Sequence, residues 1–293
     1  SNNYDLIIIQ FYQPFFAISL GYITRIVRAR ANKHMIIALC HNITSHEGSP
    51  IDKSLSKFLF KTIDGFIVQS KAVIPDLKQI VTRPKFDYNP HPIYNVVGTA
   101  VDKQKARKIL VLNAVEPVIL YFGYIREYKG LQYLIRAFPQ IHSKIGGKLL
   151  IVGEFYDDKN KYQNIINNTG LAEKILVEDR YVPDDMVNNY FSAADILVLP
   201  YVSATQSGIT QIALSYELPC IVTNVGGLPE VIKEGETGFI VEPKDPDAIA
   251  RKAIDYFTNF DKTEMKSNIR KEREKYSWDR MKKTILSLYK NII

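Results

Sequence analysis

Short apolar runs alternate with stretches of helical period along most of the chain, and each pairing has the length of a βα unit. Residues 4–9, YDLIII, read as a parallel strand, and 11–30 as an apolar-faced helix ending in Arg-Ala-Arg. MIIALC at 35–40 is a second strand, which delivers His41 and Asn42 at its carboxyl end. The polar loop HNITSHEGSP leads to a helix over 54–62, a strand over 65–69 and a helix over 72–80 capped by Ser70. This βαβαβ order is half of a Rossmann-like unit.

Residues 82–102 break the rhythm with Pro84, Pro90 and Pro92, and read as a strand-and-linker passage between domains. Beyond it the pattern predicts strands at 117–122, 148–152, around 175–177, at 196–201, 220–223 and 239–241. Helices alternate with them at 103–110, 131–142, 159–169, 184–193, 246–259 and 262–275. A further helix enters after Ser207 and Gly208, burying Ile209, Ile212, Ala213 and Tyr216, and Pro219 is expected to end it. Trp278, Met281, Ile285, Leu288 and Tyr289 set a last helix at the chain's end. The reading is an α/β protein with two Rossmann-like doubly wound domains. The first, 1–92, has only part of the usual set of elements; the second, 93–270, has a full one; 271–293 is a terminal helix.

Hydrophobic residues make up 46% of the 293 and charged residues 24%, the balance of a globular protein, and no apolar run has the length of a membrane span. The first residues carry no basic-then-apolar signal pattern. Cys40 and Cys220 sit far apart in strand-like segments and read as buried thiols in a reducing, cytoplasmic compartment. Lys and Arg exceed Asp and Glu, 38 against 31. Such an excess serves nucleic acid, an anionic membrane surface or an anionic substrate. The lysines are dispersed and no nucleic-acid motif accompanies them, so nucleic acid is not an expected partner. Peripheral contact with the inner face of an anionic membrane stays open.

Two stretches carry candidate chemistry. A strand that feeds Ser207 and Gly208 into a helix start offers unpaired backbone N–H groups to an anion, although many βα turns of this shape hold no ligand. The loop after the strand at 117–122, GYIREYKG, projects Arg126 and Lys129 beyond Gly123. No metal is expected. The pairs Asp157-Asp158 and Asp184-Asp185 lack an intervening residue, and His46-Glu47 lies on a loop without metalloprotease spacing.

In order, Ser207-Gly208, Pro219, Thr223, the run Gly226-Gly227-Leu228-Pro229-Glu230, Gly235, Thr237-Gly238 and Pro243 resemble the donor half of GT-B glycosyltransferases. The likeness is strongest to the retaining family 4 group, the glycosyl transferases group 1. The resemblance implies two Rossmann-like domains facing across a cleft, with the last helix crossing back to the first. It implies transfer of a hexosyl group from a nucleoside diphosphate sugar to a saccharide or lipid-linked acceptor, with retention and without a metal or other cofactor. Bacterial polysaccharide biosynthesis is the setting it suggests. His41 would hydrogen-bond the donor sugar or its β-phosphate. Lys129 matches the family lysine, whereas Tyr124 stands at the family arginine, so Arg126 would take over as the second cation. Gly123, Tyr124, Val182, Thr205, Gln206, Ser207, Gly208 and Gln211 would hold the donor, Val182 through backbone contacts to the base.

The family's Glu-x7-Glu motif is not present. Thr205 or Gln206 stands near its first position, and Gln211 near the second, where the glutamate binds ribose hydroxyls. ATQSG-x-x-Q, GYIREYKG and HN-x3-HE together resemble one branch of the family. The family opens with a strand and a Gly-rich loop that nothing before Tyr4 supplies. Three explanations stand: a further N-terminal segment, which we expect, a separate polypeptide, or activity without either. A rival reading is a weak or inactive nucleotide-sugar-binding subunit.

Overall fold

The protein, as a computed structural model, is described over residues 4–30, 34–44, 51–94 and 98–293. It divides into two compact units, one of Ser1–Pro92 with Lys275–Ile293 and one of Ile93–Glu274.

In the first unit, the elements are β1 (Leu6–Phe11), α1 (Ala17–Arg30), β2 (Met35–Cys40), α2 (Asp52–Phe60), β3 (Gly65–Val68), α3 (Ile74–Ile80) and β4 (Phe86–Tyr88). The strands form one parallel sheet in the order β1-β2-β3-β4. Alternation along β2 explains its unbroken apolar run. Ile36, Ala38 and Cys40 face a core shared with Ala17, Leu59, Phe60 and Leu77 of the helices. Ile37 and Leu39 face the other way, onto Met281, Ile285 and Leu288 of the last helix. β2 and β3 are thus covered on both faces, whereas Ile8 of the edge strand β1 is 45% exposed.

Several boundaries differ from the sequence pattern. The helix expected over 11–30 starts only at Ala17, because β1 continues through Phe11 and a 3-10 turn, Pro14–Phe16, intervenes. Pro14 forces Gln13 to stay extended, at φ −167° and ψ 162°. The helix expected at 54–62 runs over Asp52–Phe60. Ser70 caps a 3-10 turn, Lys71–Val73, ahead of α3, its Oγ accepting from the Ala72 N–H. The passage after α3 supplies β4, whose Phe86 lies beside Phe66.

The second unit contains α4 (Lys103–Ile109), β5 (Val118–Phe122), α5 (Leu131–Ile145), β6 (Lys148–Val152), α6 (Lys159–Asn168) and β7 (Ile175–Glu178). It continues with α7 (Asp184–Ala193), β8 (Ile196–Leu199), α8 (Gly208–Ser215), β9 (Cys220–Thr223), β10 (Gly238–Val241), α9 (Pro246–Asn259) and α10 (Lys262–Glu272). The last helix, α11 (Trp278–Ile292), belongs to the first unit. The six strands are parallel in the order β10-β9-β8-β5-β6-β7. Val118 and Leu120 of β5 join the core under α7 and α8, and Ile119 and Tyr121 join the one under α5 and α9. From β5 the chain winds outward to β7, then returns to β8 and winds the other way. The order therefore reverses between β5 and β8, and a crevice opens there at the carboxyl ends of the strands.

Here too the ends differ. The helix expected at 131–142 extends to Ile145 and stops at Gly146 and Gly147, both at positive φ. The strand expected at 196–201 ends at Leu199. Pro219 does not end α8. The stop is a Schellman cap in which Leu218 N–H donates to Ala213 O (2.9 Å) and Glu217 N–H to Leu214 O (3.2 Å), with Glu217 left-handed at φ 54°. The helix expected over 262–275 is α10 to Glu272 and a 3-10 turn, Arg273–Tyr276.

The acidic pairs are helix starts. Asp158 caps α6, and Asp184 and Asp185 occupy the first turn of α7. Cys40 and Cys220 are free and buried, and burial pushes the Cys220 thiol up to about 12. Among the described residues no helix is long and apolar enough to cross a membrane.

Candidate functional site

The crevice of the second unit is built from the turns that follow β5, β6, β7 and β8. The first two run side by side. Gly123 N–H donates to Val152 O (2.9 Å) and Ile125 N–H to Glu154 O (2.8 Å). Gly123 sits at φ 117°, and a methyl group there would stand 3.4 Å from Lys129 Nζ and 3.6 Å from Ile209. A side chain at 123 would therefore be strained and would crowd the lysine.

Lys129 ends a 3-10 turn, Glu127–Lys129, which closes on left-handed Gly130 at φ 66°. The turn is fastened to the segment after β8, where Val202 N–H donates to Tyr128 O (2.7 Å). The Lys129 ammonium lies 5.4 Å from the centre of the Tyr201 ring and 6.0 Å from that of Tyr124. Burial lowers its pKa, and the Arg126 charge lowers it further. Among the described residues no carboxylate lies within 4.0 Å of it. Tyr201, whose phenol burial pushes up to about 12, reaches Ser207 Oγ at 3.3 Å. Ser207 Oγ in turn accepts from the Ile209 N–H and caps α8. A half-buried cation and a capped helix start are thus linked through one tyrosine. This arrangement suits an anion, since both the charge and the helix N-terminus favour one.

Beside them lies a cavity of about 200 Å3, lined by Gly123, Tyr124, Lys129, Glu154, Val182 and Ile209 among others. Arg180, Tyr181 and Asp184 also line it. Arg180 and Ile209 were not singled out in the sequence. Ile209 reads there as buried on its helix, and Arg180, two residues beyond β7, carries no motif that marks it. Ser207 and Gly208 stand at the helix start adjoining Ile209, with Gly208 packed under the Tyr94 ring. Thr205 and Gln206 precede them, and Thr205 O accepts from the Gly227 N–H (2.8 Å).

Two expected residues stand elsewhere. Arg126 is exposed, with its guanidinium 4.9 Å from the centre of the Tyr156 ring, and does not line the cavity. Gln211 is 3% exposed, and its Oε1 is closed off without a hydrogen-bond partner. It lies two residues after Ile209, roughly 200° around the helix, so it faces away from the cavity that Ile209 lines.

In the first unit, His41 extends the β1–β2 ladder, its N–H donating to Phe11 O (2.9 Å). Its ring stacks on Tyr12 and lies near His91, which follows β4. Burial, then the charge of His91, lowers the His41 pKa to about 4, and burial lowers that of His91. His46 and Glu47 lie outside the described residues.

A larger hollow of about 770 Å3 opens at the amino ends of the second unit's strands. Most of its charges are paired: Glu217 takes Arg270 and Arg273, and Lys103 takes Asp195, while Lys266 also lines it. The ends of α7 and α8 also point carbonyls at it, which disfavours an anion. The smaller cavity is the better candidate on chemistry.

Residues 116–259 match the family model described as glycosyl transferases group 1. The chain is 31% identical over 191 residues to an uncharacterized glycosyltransferase of Methanocaldococcus jannaschii, covering 64% of this chain and 48% of that protein. It is 26% identical over 220 residues to N-acetyl-alpha-D-glucosaminyl L-malate synthase of Bacillus anthracis, covering 73% and 55%. The chain thus spans about half the length of these curated relatives. Anabaena HepE, solved in complex with UDP, superposes with a TM-score of 0.81 at 18% identity, over 98% of this chain and 79% of HepE. Residues 116–259 therefore carry the glycosyl transferases group 1 pattern, in a chain whose fold is that of the GT-B glycosyltransferases.

Proposed function

We propose that the protein is a glycosyltransferase that moves a hexosyl group from a nucleoside diphosphate sugar to a saccharide or lipid-linked acceptor, with retention. One observation carries the reading. The Lys129 ammonium is half-buried and has no carboxylate partner among the described residues, and it stands beside the start of α8. A departing diphosphate would supply the missing negative charge, and its own oxygen would take the acceptor's proton. Donors fixed where charge develops speed such a step most. In this reading the base enters the cavity beside Tyr181 and Val182, and Ser207 and Gly208 meet a phosphate through the backbone. Arg126 would have to leave Tyr156 to reach the diphosphate, so its part is secondary. His41 would give the donor sugar or its β-phosphate a hydrogen bond, following the family resemblance alone. No metal is invoked, following the family resemblance alone.

The test is turnover of UDP-glucose, GDP-mannose and UDP-N-acetylglucosamine, scoring free sugar and transferred sugar by mass spectrometry. Transfer that disappears with Lys129→Ala supports the reading; transfer that is indifferent to it contradicts it. The neutral residues Thr205, Gln206 and Gln211 favour the rival of a nucleotide-sugar-binding subunit, for which tight donor binding without turnover is the expected result.

Contact with an anionic membrane, where a lipid-linked acceptor would be met, is a further part of the proposal. Phe15, Tyr22, Ile23 and Ile26 are exposed on and before α1, which ends in Arg28 and Arg30. Co-sedimentation with phosphatidylglycerol vesicles, lost in high salt, would support it.

A further inference from the structure

The parallel register of the first unit places Phe11 beside Cys40, so the residues just past the strand ends, Tyr12 and His41, are neighbours. Their rings stack with centres 4.4 Å apart and planes 17° from parallel. The Tyr12 hydroxyl donates to Gln10 Oε1, two residues back in β1, which holds the phenol ring in place. From the other end of the sheet, His91 brings its ring centre to 5.5 Å from that of His41, tilted by 58°. His91 is itself held, its Nδ1 donating to Pro92 O at 2.6 Å. Tyr12 is half exposed and adds little to the core, yet its ring covers one face of the imidazole.

We propose that Tyr12 and His91 are positioning residues, which together fix the plane of the His41 ring so that its N–H direction is set before substrate arrives. The inference rests on the part given above to His41. A hydrogen-bond donor fixed in advance loses no orientational freedom in the transition state, and small misplacements are expensive. Aromatic stacking is sufficient to bias a ring among its rotamers. Neither residue touches substrate in this account; each acts through His41.

Two measurements on the full chain test it. In the ligand-free protein, Tyr12→Ala should move the His41 ring-proton resonances downfield by removing the stacked ring, and His91→Ala should move them too. Tyr12→Phe, which keeps the ring, should leave them in place. In steady-state turnover of UDP-glucose and GDP-mannose, Tyr12→Ala should lower kcat about tenfold with KM little changed, and Tyr12→Phe should restore it. Unchanged His41 resonances and unchanged kcat in Tyr12→Ala would overturn the proposal. If His41→Ala itself keeps the parent's kcat while Tyr12→Ala still shifts the resonances, the packing is right but the role given to His41 is wrong, and the functional inference falls with it.

Discussion

Gly130 lies so close to Pro200 that a methyl group on its Cα would stand 1.9 Å from the proline carbonyl oxygen. That contact, with the hydrogen bond from Val202 to Tyr128, locks the turn carrying Lys129 against the segment leading to Ser207. Gly130→Ala combines this clash with a left-handed backbone, and should cost on the order of 3 kcal/mol. Urea denaturation checks it. A loss below 1 kcal/mol would mean the two loops are free to move apart.

In the proposed reading Lys129 is held for a ligand, at some expense to the free protein. A partly buried ammonium without a counter-charge is a burden, as its lowered pKa also indicates. Lys129→Met keeps the stem and removes the charge, so the ligand-free variant should be as stable as the parent or up to ~1 kcal/mol more stable. A clearly less stable variant would show that Lys129 holds the fold together and was not left for an anion.

His41 gives a pH signature. Its imidazole ordinarily titrates at 6.5 and here is lowered to about 4 by burial and by His91. The unfolded chain therefore takes up the proton first. The stability from this group is fully present above 6.5 and is lost as pH falls from there through about 4. A titration of the His41 ring protons by NMR should find the midpoint near 4, and one at the ordinary value would contradict the burial.

Gln211 was expected to hold ribose hydroxyls, and on that basis a glutamate there would bind a donor at least as well. Its burial gives another outcome. Gln211→Glu would place a carboxylate where its Oε1 already has no partner, at a cost of roughly 2–4 kcal/mol at neutral pH. The carboxyl's folded pKa would be raised, so the loss should shrink as pH falls towards the ordinary carboxylate value. Chemical denaturation at pH 7 and pH 5 measures the difference. Equal stability to the parent at both would place residue 211 in reach of solvent.

The fold was largely legible because parallel strands buried on both faces leave continuous apolar runs such as MIIALC and ILVL. Only β4 was hard to place, since three residues, Phe-Asp-Tyr, are too few to show a period. Helix ends were less visible. Glu217 ends α8 in a left-handed conformation, a role composition assigns to glycine or asparagine; its carboxylate is held by Arg270 and Arg273, 53 and 56 residues later. In the site, Gly123 and Lys129 follow directly from a strand end and a loop. Gln211 and Arg126 depend on which way a side chain turns. For Gln211 that is set by one step of helix phase, and for Arg126 by the neighbouring Tyr156 ring, and neither can be read from spacing.

The central claim is that Lys129 and the start of α8 form a diphosphate site, and isothermal titration of UDP, GDP and ADP into the parent and Lys129→Ala tests it most directly. The account predicts that at least one of these nucleotides binds, and that Lys129→Ala weakens it by ~1.5–3 kcal/mol, about 10- to 150-fold. Binding of equal strength to both proteins, or none to the parent at millimolar nucleotide, would contradict it.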